Sequence, residues 1–321
     1  MAETADRVRL GGPFFEDFEV GQVFTGAPGL TLTSGHASLH QALTGDRLRL
    51  ALDAPLCSAV TGREALLAHP NLVCDVAIGQ STEPTQRVRG NLFYRGLVLL
   101  KPVFIGDTLR SRTEVVGLRQ TRKAAGLVAL RILTTNQHDE PVLDFWRCPM
   151  IPLRDPDAQT GHADSFDDIP DRVDAQAALP EWDLQAFREQ VPGRHLEDLV
   201  AGTVWELEGR DTVTAAPELV RLTLNLAAAH SDAGATAHGR RLVYGGHTIS
   251  IAAAHVTRAL PNLVTILAWR GCEHLAPVFE GDVLATEVTL EAIRPGGLVD
   301  LRARVRSDVD VLDWRLVGVM A

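Results

Sequence analysis

His230 closes the run Asn-Leu-Ala-Ala-Ala-His, five residues after the carboxamide of Asn225 and shortly before a Gly245-Gly246 pair. An imidazole titrates close to neutral pH, so it can take a proton from water and return one. Asn225 exchanges no proton, but its amide can hold a water in line. On a regular helix a five-residue spacing would leave the two side chains about 140° apart. They meet only if the chain loops or breaks, and Ser231-Asp232-Ala233-Gly234 permits a break there. Gly245 and Gly246 precede an apolar helical run. The first N–H groups of a helix are unpaired and lie at the positive end of its dipole. Glycine lets a ligand approach such a donor without a Cβ in the way. A base, a held water and an oxyanion donor together suit acid–base chemistry beside a carbonyl. General acid–base help is worth roughly 10²–10⁴ in rate, and one oxyanion donor about 2.7–4 kcal/mol.

Each of these residues also has a purely structural reading. His230 in an Ala-rich segment can be a core residue, Asn225 can cap a helix or bond a buried carbonyl, and the glycine pair can be only a tight turn. Asp232 suits capping or orienting better than reacting. Tyr244 and His247 flank the glycines, and His247 either touches substrate or caps the helix. Arg240 and Arg241 stand nearby as weak candidates for a phosphate contact, whereas Arg95 and Arg270 occupy matching positions in two repeats and so read as fold residues.

The elements that must position these groups occur twice. Pro102-Val103-Phe104-Ile105-Gly106-Asp107-Thr108-Leu109 returns, 175 residues on, as Pro277-Val278-Phe279-Glu280-Gly281-Asp282-Val283-Leu284. Glu16-Asp17 with Gly21 answers Glu197-Asp198 with Gly202, and Val142-Leu143-Asp144-Phe145 answers Val311-Leu312-Asp313-Trp314. Three anchors in the same order imply two copies of one fold. The expected units are residues 1–152, an Asp/Pro/Ala-rich linker at 153–192 lying over the surface, and residues 193–321. Residues 180–190 of the linker suggest a short helix started by Pro180.

In the second copy His247 to Leu260 is apolar nearly all round, which predicts a buried helix that stops before Pro261. Strands are expected over 282–293, 298–306 and 311–320, matched by 107–120, 126–135 and 141–151 in the first copy. A buried helix wrapped by antiparallel strands is an α+β layout. The repeat also separates the two copies chemically. Val243-Tyr244-Gly245 falls on Ala68-His69-Pro70, and proline has no N–H to donate. His230 falls on Ala51 or Pro55, so the first copy reads as catalytically empty. Asp46, in Thr44-Gly45-Asp46, then reads as a turn residue and His69 as structural.

Composition narrows the partners. The 321 residues are 45% apolar and 22% charged, enough for two ordinary domains, and the net charge of −10 disfavours nucleic acid or an anionic membrane. The opening MAETADRVRL does not resemble a secretory signal, and no apolar run is long enough to span a bilayer. Cys57, Cys74, Cys148 and Cys272 form no C-x-x-C pair, which points to reduced thiols in a cytoplasmic protein with no metal site. No glycine-rich phosphate loop or G-x-S-x-G elbow occurs.

The Pro-Val-Phe-x-Gly-Asp-x-Leu strand after a buried helix resembles the hotdog fold of the MaoC-like hydratases. So does Asn225-x-x-x-x-His230-x-Asp232 followed by Arg241-Leu242-Val243-Tyr244-Gly245-Gly246-His247. FFEDFEVGQ (14–22), VVGLRQ (115–120) and GRRLVYGGH (239–247) are similar to the mesaconyl-CoA hydratase, or β-methylmalyl-CoA dehydratase, branch, and to double-hotdog proteins of actinobacteria. The resemblance implies a double hotdog that interconverts 2-enoyl and (R)-3-hydroxyacyl thioesters of CoA or acyl carrier protein, without a cofactor, as a monomer or homodimer. It implies His230 as base, Asn225 as water holder and Gly245 or Gly246 as oxyanion donor. Many relatives carry Asp where Asn225 stands, so the implied His is assisted by an amide. Two rivals remain: a hotdog thioesterase, which needs a carboxylate that the helix after Gly246 lacks, and a non-catalytic acyl-CoA-binding protein.

Overall fold

The computed structural model describes residues 10–122, 124–170 and 173–321; the opening segment read for a secretory signal lies, through residue 9, outside them. The first copy comprises β1 (Val23–Phe24), β2 (Leu30–Thr31), α1 (Ser34–Thr44), α2 (Ala54–Thr61), α3 (Pro70–Gln80), β3 (Gly90–Leu99), β4 (Thr108–Gln120), β5 (Ala125–Thr135) and β6 (Pro141–Pro152). After α4 (Leu184–Gln190) the second copy follows. It comprises β7 (Val204–Glu206), β8 (Asp211–Thr212), α5 (Ala216–Leu222), α6 (Gly245–Ala259), β9 (Leu263–His274), β10 (Val283–Arg294), β11 (Leu298–Arg306) and β12 (Asp310–Met320).

All strands join one antiparallel sheet in the order β1-β4-β5-β6-β3-β9-β12-β11-β10-β7, with β2 on β4 and β8 on β10. The copies meet where β3 pairs with β9, Tyr94 opposite Cys272 and Leu97 opposite Trp269. The two central helices α3 and α6 contact each other inside this sheet. The result is an α+β double hotdog.

Local chemistry explains the repeat. In both copies the Gly-Asp of the repeated octapeptide builds one turn: Gly106 and Gly281 have φ of +110° and +93°. Asp107 accepts the Phe104 N–H at 2.8 Å, and Asp282 accepts the Phe279 N–H at 2.9 Å. The Asp N–H returns a bond to the same Phe carbonyl, at 3.0 Å and 3.1 Å, and this reciprocal pair closes the turn before the strand that follows. The α3 helix is buried at every position and starts with Pro70, whose missing N–H costs nothing there. The α6 helix begins two residues before His247 and ends before Pro261, as proline requires.

Two expectations need correction. The connecting segment is docked rather than merely draped. Phe166 is buried with Phe93, Leu127, Ala129 and Cys148, and its carbonyl accepts from Arg95 at 3.1 Å. Its helix starts at Leu184, capped by Asp183, not at Pro180, because a side-chain oxygen can satisfy the free Ala186 N–H.

Candidate active site

The α5 helix ends at Leu222, and Leu224 then takes a φ of +60°, a left-handed turn that is rare for leucine. This break brings Asn225 round, and its Oδ1 accepts the Ala227 N–H at 2.9 Å. A 3₁₀ turn, Ala228–His230, then delivers the imidazole. The break therefore lies upstream of the pair, not at Ser231–Gly234 as the sequence suggested. The downstream run is a separate turn capped by Asp232, whose Oδ1 accepts the Gly234 N–H at 2.8 Å.

His230 Nδ1 lies 2.8 Å from the Leu242 carbonyl. A carbonyl only accepts, so the ring proton sits on Nδ1 and Nε2 carries the lone pair. Burial first, and the Arg147 charge as well, hold the His230 pKa below the ordinary histidine value, against the opposite pull of Leu242. The ring is therefore a neutral base near pH 7. Because Asn225 Oδ1 is engaged, its amide N–H groups are what it can offer a ligand.

Asn225, His230, Tyr244 and Gly245 line one cavity of about 330 Å³. Gly245 opens α6, and no backbone carbonyl among the described residues accepts its N–H. A Cβ there would stand 2.5 Å from His274 Nε2, so the position is closed to side chains. Tyr244 packs edge-on against His230 with centroids 5.6 Å apart. Burial, and then the neighbouring Asp75 carboxylate, raise its pKa and keep the phenol protonated.

The structure does not bring every candidate to this wall. Gly246 is buried away from the cavity, its Cα against Asp75 and the Tyr244 ring, because the second residue of a helix faces about 100° from the first. His247 is fully buried and faces the first copy, where Asp75 and His40 act on its charge. Arg241 is paired with Glu280, and Arg240 stacks on Phe279 at 4.3 Å, so neither lines the cavity. Asp232 stays in its own turn, exposed.

Among the wall residues that sequence reasoning missed are Tyr94 and Arg147, from strands of the first copy, and His274 at the end of β9. Burial, with His230 close by, pushes the His274 pKa down to about 4. A further miss is Asp75 on α3, a carboxylate on the first copy's central helix. It accepts from Ser250 at 3.1 Å, lies 3.5 Å from His40 and does not line this cavity.

The first copy holds a matching frame. Ala51 N–H bonds Leu48 O at 3.1 Å as His230 N–H bonds Ala227 O at 3.0 Å. Asp46 Oδ1 accepts the Leu48 N–H at 2.7 Å as Asn225 does that of Ala227. Ala51 thus stands where His230 does, and Pro70 where Gly245 does. Yet Asp46 is more than a turn residue. It is buried, 3.0 Å from His69 Nε2, beside a cavity of about 240 Å³ that His40 also lines.

Fold and sequence family together define the class: a fused double-hotdog hydro-lyase of the MaoC-like kind. The chain belongs to the mesaconyl-CoA hydratase family, whose model matches residues 2–260. It is 30% identical to a β-methylmalyl-CoA dehydratase of Chloroflexus aurantiacus over 96% of this chain and 88% of that one. It is 31% identical to a mesaconyl-CoA hydratase of Cereibacter sphaeroides, over 85% of this chain and 81% of that one. A solved double-hotdog protein of Mycobacterium tuberculosis superposes with a TM-score of 0.91 at 48% identity, covering 98% of this chain and 100% of the other.

Proposed function

We propose that this chain adds water to mesaconyl-CoA to give β-methylmalyl-CoA, and catalyses the reverse dehydration. One observation carries the reading: His230 Nε2 and the Gly245 N–H have no partner among the described residues, and both residues line the same cavity. His230 takes a proton from a water held by the Asn225 amide, and the water oxygen bonds to C3 as the C2–C3 π bond opens. Charge moves onto the thioester oxygen, where Gly245 N–H meets it, and the imidazolium returns the proton to C2. Among the described residues no carboxylate lines this cavity, so the general base of a thioesterase has no counterpart there, and Asp75 is spent on Ser250 and His40.

The first copy acts as a scaffold, with Ala51 and Pro70 in the catalytic positions. The carrier is CoA, as in the relatives' names. Four buried free thiols suit a cytoplasmic setting. None of the described helices is long and apolar enough to cross a membrane. The test follows ultraviolet absorbance of the conjugated thioester after mixing protein with mesaconyl-CoA or crotonyl-CoA. Absorbance falls with mesaconyl-CoA; no loss with either substrate makes the chain a thioester-binding protein instead.

A further inference from the structure

Two arginines line the cavity, exposed Arg89 and buried Arg147, and the water-adding machinery leaves the buried one without a task. Arg147 on β6 is 3% exposed, and its Nη2 donates to the Ser81 carbonyl at 2.8 Å and to Thr85 Oγ1 at 2.7 Å. Among the described residues its Nε is buried without an acceptor, and no hydrogen bond engages Nη1. Among the described residues no Asp or Glu lines the cavity, and the groups that act on the Arg147 charge are Tyr94, Tyr244 and Cys148. A guanidinium withdrawn from water costs several kcal/mol unless an anion answers it, and these neutral acceptors leave the charge standing.

The repeat shows that the fold does not ask for an arginine here. Arg147 lies opposite Tyr94 in the β3–β6 pairing, and the matching pair in β9–β12 is Trp269 opposite Leu316. Apolar side chains fill that place in the other copy. The phenol and guanidinium are thus particular to the wall that faces Asn225 and His230.

We infer that Arg147 is the receptor for a free carboxylate carried by the acyl group, so that the site selects mono-thioesters of dicarboxylic acids over plain fatty acyl thioesters. This rests on the proposed reaction and deepens it. In mesaconyl-CoA the carboxylate is attached to C3, the carbon that takes up water. Its negative charge would repel the incoming oxygen, and a guanidinium bound to it removes that repulsion. The same contact fixes C3 relative to His230, whose proton affinity already feels the Arg147 charge.

The test separates binding from turnover. Calorimetry compares succinyl-CoA with butyryl-CoA, equal in acyl length, one with and one without the end carboxylate, and neither open to hydration. Wild-type protein binds succinyl-CoA roughly tenfold to a hundredfold more tightly, the worth of a charge-assisted pair. Arg147→Met abolishes the preference and lowers the mesaconyl-to-crotonyl ratio of kcat/KM by a like factor, while Arg147→Lys keeps part of both. A wild-type protein that binds both thioesters equally overturns the assignment whatever the variants do, as does a folded Arg147→Met that keeps the preference. Hydration without the preference defeats the receptor alone. The preference without hydration of any enoyl-CoA defeats the reaction and leaves the receptor standing.

Discussion

The orientation of one water decides the chemistry at the scale of single residues. His230 is fixed in the Nδ1–H form by Leu242, and Asn225 has its oxygen tied to Ala227, so one offers a lone pair and the other N–H groups. Asn225→Ala should therefore lower kcat roughly tenfold to a hundredfold and, because the Ala227 N–H loses its acceptor, also lower the melting temperature, measured by steady-state hydration and a melting curve. The base must be neutral to act. Its folded pKa lies below the ordinary value of 6.5, so hydration falls only as pH drops through that lower value. Removing the Arg147 cation raises the His230 pKa, so the acid limb of the pH–rate profile for Arg147→Met should move to higher pH; an unmoved limb means the two groups do not interact. His230, Asn225 and Gly245 were legible in the sequence because they sit close together beside a repeat that lacks them. Tyr94 and Arg147 were not, because they reach the site from strands whose register shifts twice, between Asn91 and Tyr94 and between Arg95 and Val98. No linear spacing encodes that approach.

Among the elements, the start of α6 is the most constrained. Gly245 is pressed against His274 and Gly246 against Asp75 and Tyr244, so each glycine answers a different neighbour. Gly246→Ala should destabilise the fold by about 1–3 kcal/mol through overpacking, read as a lower denaturant midpoint. An unchanged midpoint would mean that Asp75 moves aside freely. The α6 helix, β10, β11 and β12, and their partners β4, β5 and β6, were legible from period and turn chemistry, to within a residue or two at their ends. β3 and β9 were not read as strands. They form the seam, and β9 is buried at all of its first seven positions, so the alternation that betrays a strand is missing. The docked linker was also hidden, since its buried Phe166 and Phe187 are isolated in a polar composition.

As a whole molecule, the chain joins one working wall from each copy. His230 and Gly245 come from the second, Tyr94 and Arg147 from the first, and the β3–β9 pairing and the Asp75–Ser250 contact hold them together. The halves should accordingly unfold in one calorimetric transition, and two resolved transitions would contradict such coupling. Duplication was plain in the sequence, but the retained Asp46–His69 pair was not foreseen, because partners 23 residues apart meet only through the fold. That pair makes the division of labour between the copies open to direct test. The decisive measurement is the initial rate of mesaconyl-CoA hydration by His230→Ala and His69→Ala beside wild type. A loss of roughly 10²–10⁴ is predicted for His230→Ala, with most of the rate kept by His69→Ala. Equal losses would contradict the division of labour, and a larger loss at His69 would place the chemistry in the other copy.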